Sequence, residues 1–369
     1  MTDYDPFARG PHPVGVRTAE VSPAGRAESD VATIPVEIWY PARDSALGKD
    51  LDPATQDSYS LAPGLPEVAQ AAVRDAQPSI EATSGTAPAV VFSHGFAGHR
   101  RQSTHLTAHL ASHGYVVIAP DHVGNTTPEV MGWAMGIGAP DDMVAYTRDM
   151  STQRVNDAIT ALDALLAGEF AVSASSSSVG MSGHSFGGWT TLATASEDER
   201  IRATLPLAPA GGDGGVWDGP QDPRAVMRSV LDQHYPLEWG RDVPTLTLVA
   251  DLDSVLPYPM MTELLANAPA IEELVVLVNS DHFHFSDGVE VIHDFMTGAM
   301  GDGSAKPYAD LVPGDAAYSL TTGLGLAHFD ATLRGQPAAA AFIDQDRAAL
   351  VALLADRGIV VEVVTGETS

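Results

Sequence analysis

Short apolar and β-branched runs alternate along this chain with longer segments of helical periodicity. The runs are TIPVEIWY (33–40), AVVFSH (89–94), YVVIAP (115–120), SSVGMS (177–182), ATLPLA (203–208), PTLTLVA (244–250) and ELVVLV (273–278). The later ones are nearly all apolar, the pattern of strands buried on both faces of a parallel sheet. Between them, 149–167 sets Val155, Ala158, Ile159, Leu162, Leu165 and Leu166 at helical spacing and leaves Arg154, Asp157 and Asp163 for the solvent side. Strand and helix in alternation predict an α/β fold, a mostly parallel sheet wrapped by helices.

Three segments break the rhythm. Residues 44–87, rich in Pro, Asp, Ser and Ala, read as an excursion with one short helix at 66–76. Residues 122–147 and 209–242 carry Gly, Pro, Met and Trp and follow strands. They leave the carboxyl edge of the sheet, where such folds hold ligands, and are expected to be lids or pocket walls. The tail from 335 to 369 reads as a helix covering the sheet, with IVVEVV (359–364) as an added edge strand or a tail contact. The chain as a whole, 1–369, is expected to be one decorated domain.

Composition narrows the chemistry. With 44 % hydrophobic residues the chain can bury a large core. It contains no cysteine, which excludes disulfides, thiolate catalysis and cysteine-ligated metals. The opening MTDYDPFARG lacks the basic and apolar regions of a signal peptide, and no apolar run is long enough to cross a membrane, so a cytoplasmic location is expected. The 19 Lys and Arg stand against 48 Asp and Glu, a formal −29. That field disfavours nucleic acid, anionic membranes and polyanionic substrates. Arg100 and Arg101 are the nearest candidates for a local exception.

The chemistry starts at Gly183-His184-Ser185-Phe186-Gly187. The motif follows SSVGMS and precedes a helix-like segment, so strand, turn and helix would hold Ser185 in a strained elbow at a helix amino end. A serine nucleophile needs a base, and the base an orienting carboxylate, in the chain order serine, acid, histidine. LTLVADLDSVLP offers Asp251 and Asp253 just past one strand; LVVLVNSDHFHF offers His282, with His284 as fallback, past the next. VVFSHGFAGHR ends a strand in a turn whose Phe96 amide, with that of Phe186, could hold an oxyanion.

These stretches resemble the serine-dependent esterases of the α/β-hydrolase superfamily, in particular bacterial proteins grouped with platelet-activating-factor acetylhydrolases and predicted dienelactone hydrolases. GPHPVGVRTAEV, IPVEIWYPA, VVFSHGFAGHR, LASHGYVVIAPDH and GHSFGG carry the likeness. True dienelactone hydrolases use a cysteine nucleophile, which this chain lacks. DLDSVLP and NSDHF are similar to loops of the polyester-degrading cutinases, where the acid occupies the position of Asp253. In the mammalian acetylhydrolases the acid follows an earlier strand, and LPLAPA here has no carboxylate. The resemblance therefore implies a triad of Ser185, Asp253 and His282. His94 and His184 are packing residues in the family's pattern.

The expected activity is hydrolysis of neutral carboxylic esters, of small to medium or aromatic and polyester type, through an acyl-enzyme, with no cofactor and no metal. An amidase, thioesterase or acyltransferase would use the same triad. His105, His109 and His113 share one helical face, but no carboxylate or cysteine nearby in the sequence completes a metal set.

Overall fold

The structure is a computed structural model and describes residues 4–22, 32–61, 64–211, 239–267, 273–300 and 303–365. Its sheet is built around β6 (Pro88–Ser93), β7 (Val116–Pro120), β8 (Ser175–His184), β9 (Ile201–Leu207), β10 (Thr247–Ala250) and β11 (Glu273–Leu277), each parallel to its neighbours in this group. Antiparallel strands flank them: β2 (Ile34–Pro41) and β1 (Val14–Val21) on one side, β12 (Val361–Thr365) on the other. With the two-residue β5 (Val73–Arg74) beyond β1, the ten strands run in the order β12-β11-β10-β9-β8-β6-β7-β2-β1-β5. The fold is α/β, a mostly parallel sheet with helices on both faces.

Alternation along β6 shows how the core forms. Val90 and Phe92 join one apolar cluster, with Leu106, Leu205, Leu248, Leu324 and Phe329. Ala89 and Val91 join the other, with Ile118, Met181, Ala158, Leu162 and Leu165. Successive side chains point to opposite faces, so both faces need cover. Helix α1 (Thr104–Ser112) and the helix Gly314–Leu333 cover the first face; α3 (Met143–Leu166) and α4 (Phe186–Glu197) cover the second. Among the described residues no helix is long and apolar enough to cross a membrane.

Several expectations change here. Residues 66–76 are not a helix: β4 (Glu67–Gln70) pairs with β3 (Asp57–Ser60), and β5 extends the sheet edge. The pairing gives the backbone its hydrogen bonds, and Gln70 turns inward to accept from the Trp39 indole at 2.6 Å. Arg154 and Asp157 are fully buried, whereas the Asp163 side chain is 57 % exposed. The middle of α3 passes over Thr190, the His94 carbonyl and His122, so its inward face there carries polar partners instead of aliphatic ones. The tail holds two helices, Pro337–Ile343 and Arg347–Asp356, separated where Asp346 caps the second through the Ala348 and Ala349 amides. Of the two readings of its apolar run, the edge strand holds: β12 lies antiparallel on β11. Segment 122–147 forms α2 (Thr127–Ala134) and the start of α3. Of segment 209–242, residues 212–238 lie outside the described residues.

Candidate active site

Strands β6 and β8 are neighbours, yet the chain runs from β6 to β7 on one side before crossing back to β8. The crevice at such a reversal is where open parallel sheets place their chemistry. The His94 turn leaves β6 there and Ser185 leaves β8.

Ser185 stands between β8 and α4 at φ 57°, ψ −119°. A non-glycine residue held in that region costs on the order of 1–3 kcal/mol, so neighbours must impose it. The Ser185 amide donates to the Leu207 carbonyl at 2.9 Å, and its own carbonyl accepts from Trp189 and Ala210. Both flanking glycines are obligatory. A Cβ on Gly187 would lie 1.9 Å from the Ser93 carbonyl oxygen, and one on Gly183 2.3 Å from that of Gly187. Only hydrogen fits where strand, helix and β6 meet.

The loops that carry Asp253 and His282 arrive from β10 and β11. His282 Nδ1 lies 2.6 Å from Asp253 Oδ2, and both side chains are buried. Asp253 Oδ1 accepts from the Val255 and Leu256 amides at 2.9 and 2.6 Å. Burial pushes the Asp253 carboxyl up, while His282 and the Leu256 amide pull against it. Asp281 accepts from the His282 amide and the Ser254 hydroxyl, which pins the loop. Asp251 instead accepts from the Ser280 amide at 3.0 Å. His284 contacts the Asp281 backbone and the Val312 carbonyl. Of the two acids and two histidines offered by the sequence, the structure pairs Asp253 with His282.

His184 joins this loop to the elbow. Its Nε2 is 3.0 Å from the His282 carbonyl, and the two rings lie 4.5 Å apart. Its Nδ1 is 2.6 Å from Gln102 Nε2, so the hydrogen bonds assign a neutral ring with the proton on Nε2. Burial, with His282 next, holds its pKa well below the ordinary histidine value. His94 is likewise kept neutral by burial and the Arg154 charge. It reaches the Gly95 carbonyl through Nδ1 at 2.7 Å and accepts from the His122 amide at 3.0 Å.

The turn after β6 presses on the elbow. A Cβ on Gly95 would come within 3.3 Å of Ser185 Cβ and His184 Nδ1. Ala97 adopts φ 58°, turning the chain back. Among the described residues neither the Phe96 nor the Phe186 amide has an acceptor. Gln102 ties the parts together: Oε1 accepts from the Gly95 amide at 2.7 Å, and Nε2 also reaches Ser286 Oγ at 2.8 Å. Asp287 extends the seam by accepting from Thr104 and His105 at the start of α1. No periodicity marks Gln102, Asp281 or Arg154 as site residues; each is a polar side chain whose burial alone reveals it.

The remaining candidates have other partners. His105 contacts Asp287, His109 the Pro6 carbonyl and His113 the Ala8 carbonyl. Arg100 pairs with Glu37 and Asp121, and Arg101 with Glu37. A separate cavity of about 420 Å³, lined among others by Phe7, Arg9, His105 and Tyr318, includes neither Ser185 nor His282. Beside the turn after β6 stands an aromatic wall in which Phe96 meets Trp133 at 5.9 Å and Trp133 meets Tyr146 at 5.1 Å.

A parallel sheet with a serine on a strand-to-helix elbow at its reversal point defines an α/β-hydrolase. Within that fold the chain belongs to the dienelactone hydrolase family, whose model matches residues 77–278. The model for platelet-activating factor acetylhydrolase, isoform II, matches residues 8–129. Cutinase 2 of Thermobifida cellulosilytica is 29 % identical over 175 residues, 47 % of this chain and 51 % of that protein. A cutinase of Thermobifida fusca (strain YX) is 29 % identical over the same share of this chain and 42 % of its own length. The chain thus spans about half the length of the curated relatives it matches. A ferulic acid esterase from Streptomyces cinnamoneus superimposes with a TM-score of 0.62 at 22 % identity, covering 92 % of this chain and 95 % of that one. At that identity the likeness speaks for the fold.

Proposed function

We propose that the protein hydrolyses carboxylic esters through an acyl-enzyme. Ser185 Oγ attacks the ester carbonyl carbon and passes its proton to His282 Nε2. The Phe96 and Phe186 amides receive the oxyanion. Collapse of the tetrahedral adduct breaks the bond to the alcohol, which leaves with the His282 proton. Water then attacks the acyl group by the same route, releasing the acid and restoring Ser185. Asp253 keeps the His282 proton on Nδ1 and balances the imidazolium.

The observation that carries this reading is the conjunction of a strained Ser185 with the buried 2.6 Å Asp253–His282 contact on the same sheet edge. The likeness to cutinases supports ester substrates. The Phe96, Trp133 and Tyr146 wall supports neutral acyl or alcohol groups with an aromatic or extended apolar part. Arg100 and Arg101 are already matched by carboxylates, so the formal −29 favours uncharged esters. The test is turnover of p-nitrophenyl esters of increasing chain length and of an aromatic diester, beside the isosteric amides. A fluorophosphonate should label the protein at Ser185. No labelling and no ester turnover would end this reading.

A further inference from the structure

The least expected group near the elbow is a cation. Arg154 projects from α3 and is fully buried. Its Nε donates to Thr190 Oγ1 at 3.1 Å, and Nη1 to Asn125 Oδ1 at 2.7 Å. Nη2 reaches Ser93 Oγ at 3.3 Å and the His94 carbonyl. These acceptors are all neutral oxygens. The guanidinium carbon also lies 4.4 Å from the centre of the Phe186 ring. Titratable neighbours are Tyr146, His94, His122 and Asp157, and Asp157 Oδ2 is 3.1 Å from His122 Nδ1.

We propose that Arg154 is an electrostatic positioning residue of the oxyanion site, holding the two segments that supply its amides and lending them positive potential from behind. This rests on the esterase reading and adds a group that touches no substrate. Arg154 donates to the carbonyl of His94, whose peptide partner is the Gly95 amide held by Gln102. His94 Nδ1 donates to the Gly95 carbonyl, whose own peptide partner is the Phe96 N–H. Each accepted hydrogen bond polarises its own peptide: the Arg154 bond tightens the Gly95 amide on Gln102 and so sets the turn, and the His94 bond makes the Phe96 amide a stronger donor. On the other side the cation lies against the Phe186 ring, fixing the residue whose amide opens α4. A buried charge acts through little solvent, so its field weakens slowly toward a developing anion. That field already acts at the turn, since it helps hold His94 neutral.

A merely structural Arg154 would be indifferent to a new neighbouring carboxylate, or stabilised by it. Asn125→Asp provides one nearly isosterically, at the oxygen that Arg154 Nη1 already contacts. The Tyr146 hydroxyl, which accepts from Asn125 at 2.7 Å and donates to the Gly124 carbonyl at 2.9 Å, can turn its proton from that carbonyl to the new carboxylate. The full chain would be assayed with a neutral p-nitrophenyl ester and with a boronic acid that forms a tetrahedral adduct on Ser185. The expected result is an unchanged melting transition and a kcat lowered about tenfold or more. KM should move less than about threefold, and boronate affinity should fall in parallel with kcat. Arg154→Lys should keep more of the rate than Arg154→Met. A folded Asn125→Asp with wild-type kcat and boronate affinity overturns the proposal even if Arg154→Met does not fold. A wild-type chain that neither turns over esters nor binds fluorophosphonate removes the esterase reading itself, and this proposal with it.

Discussion

Gln102→Glu changes one atom and should couple stability to pH in a way the native protein is not. In the native site the Gln102 amide nitrogen meets His184 Nδ1 at 2.6 Å and Ser286 Oγ at 2.8 Å. A glutamate has no donor to offer. Its bond from the Gly95 amide survives, and Ser286 can turn its hydroxyl to donate, but His184 Nδ1 then faces an oxygen lone pair. Only a second proton on His184 relieves this, because Nε2–H is committed to the His282 carbonyl. Unrelieved, a buried uncompensated carboxylate costs about 3–5 kcal/mol. In the native protein the His184 pKa is depressed, so its contribution is present above the unfolded value of about 6.5 and declines as pH falls below it. In the variant the His184 pKa is raised. Its pairing with the introduced carboxylate is fully present below about 6.5 and is lost as pH rises through the folded value. The deficit against wild type should therefore be largest near pH 9, on the order of 5–10 °C in Tm, and shrink toward pH 6. Activity should stay low at acid pH, because an imidazolium at His184 lies against the ring of His282 and opposes its protonation. Paired thermal melts and kcat/KM between pH 5.5 and 9 measure both effects. A deficit independent of pH, or none, would refute the assigned tautomer and the role of Gln102.

Ser185→Ala should fold with an essentially unchanged Tm, since alanine occupies the same strained backbone, and should lose on the order of 10⁴-fold in kcat/KM, as scored by ester turnover. Asp253→Asn should cost up to ~10⁴-fold in kcat by leaving His282 in the wrong tautomer, whereas Asp251→Asn should spare turnover and cost about 1 kcal/mol at the Ser280 amide; kinetics and urea melts of both would expose a reversed ranking. Burial pushes His109 down to about 3 and His328 down to about 4. Both stay neutral in the folded chain while the unfolded chain takes up protons below about 6.5, so lowering the pH from 6.5 to 5 should remove roughly 2 kcal/mol for each. A Tm that stays flat over that interval would contradict their burial as neutral rings.

Local rules account for what could be read without coordinates. The all-apolar runs at 89–94, 115–120, 203–208 and 273–278 can satisfy their backbone and side chains only inside a sheet covered on both faces. The glycines around Ser185 restrict the chain within five residues, so the elbow was legible as a motif. Edges were less so: the four residues Glu67–Gln70 are too short a run to tell strand from helix until β3 lies beside them, and of the two readings of the tail's apolar run only the presence of β11 selects the strand. Which carboxylate faces His282 was also a tertiary decision. Asp251 and Asp253 share one strand end, and only the course of the 253–256 turn separates them. Arg154 and Asp157 show the limit most plainly. On helical spacing they read as solvent-facing polar residues, yet both are buried, because the side of α3 they occupy meets the His94 carbonyl, Thr190 behind the elbow and the His122 ring. Periodicity reports where apolar groups must hide. It says nothing of polar groups hidden because other polar groups wait for them, and that complementarity exists only once distant segments have met.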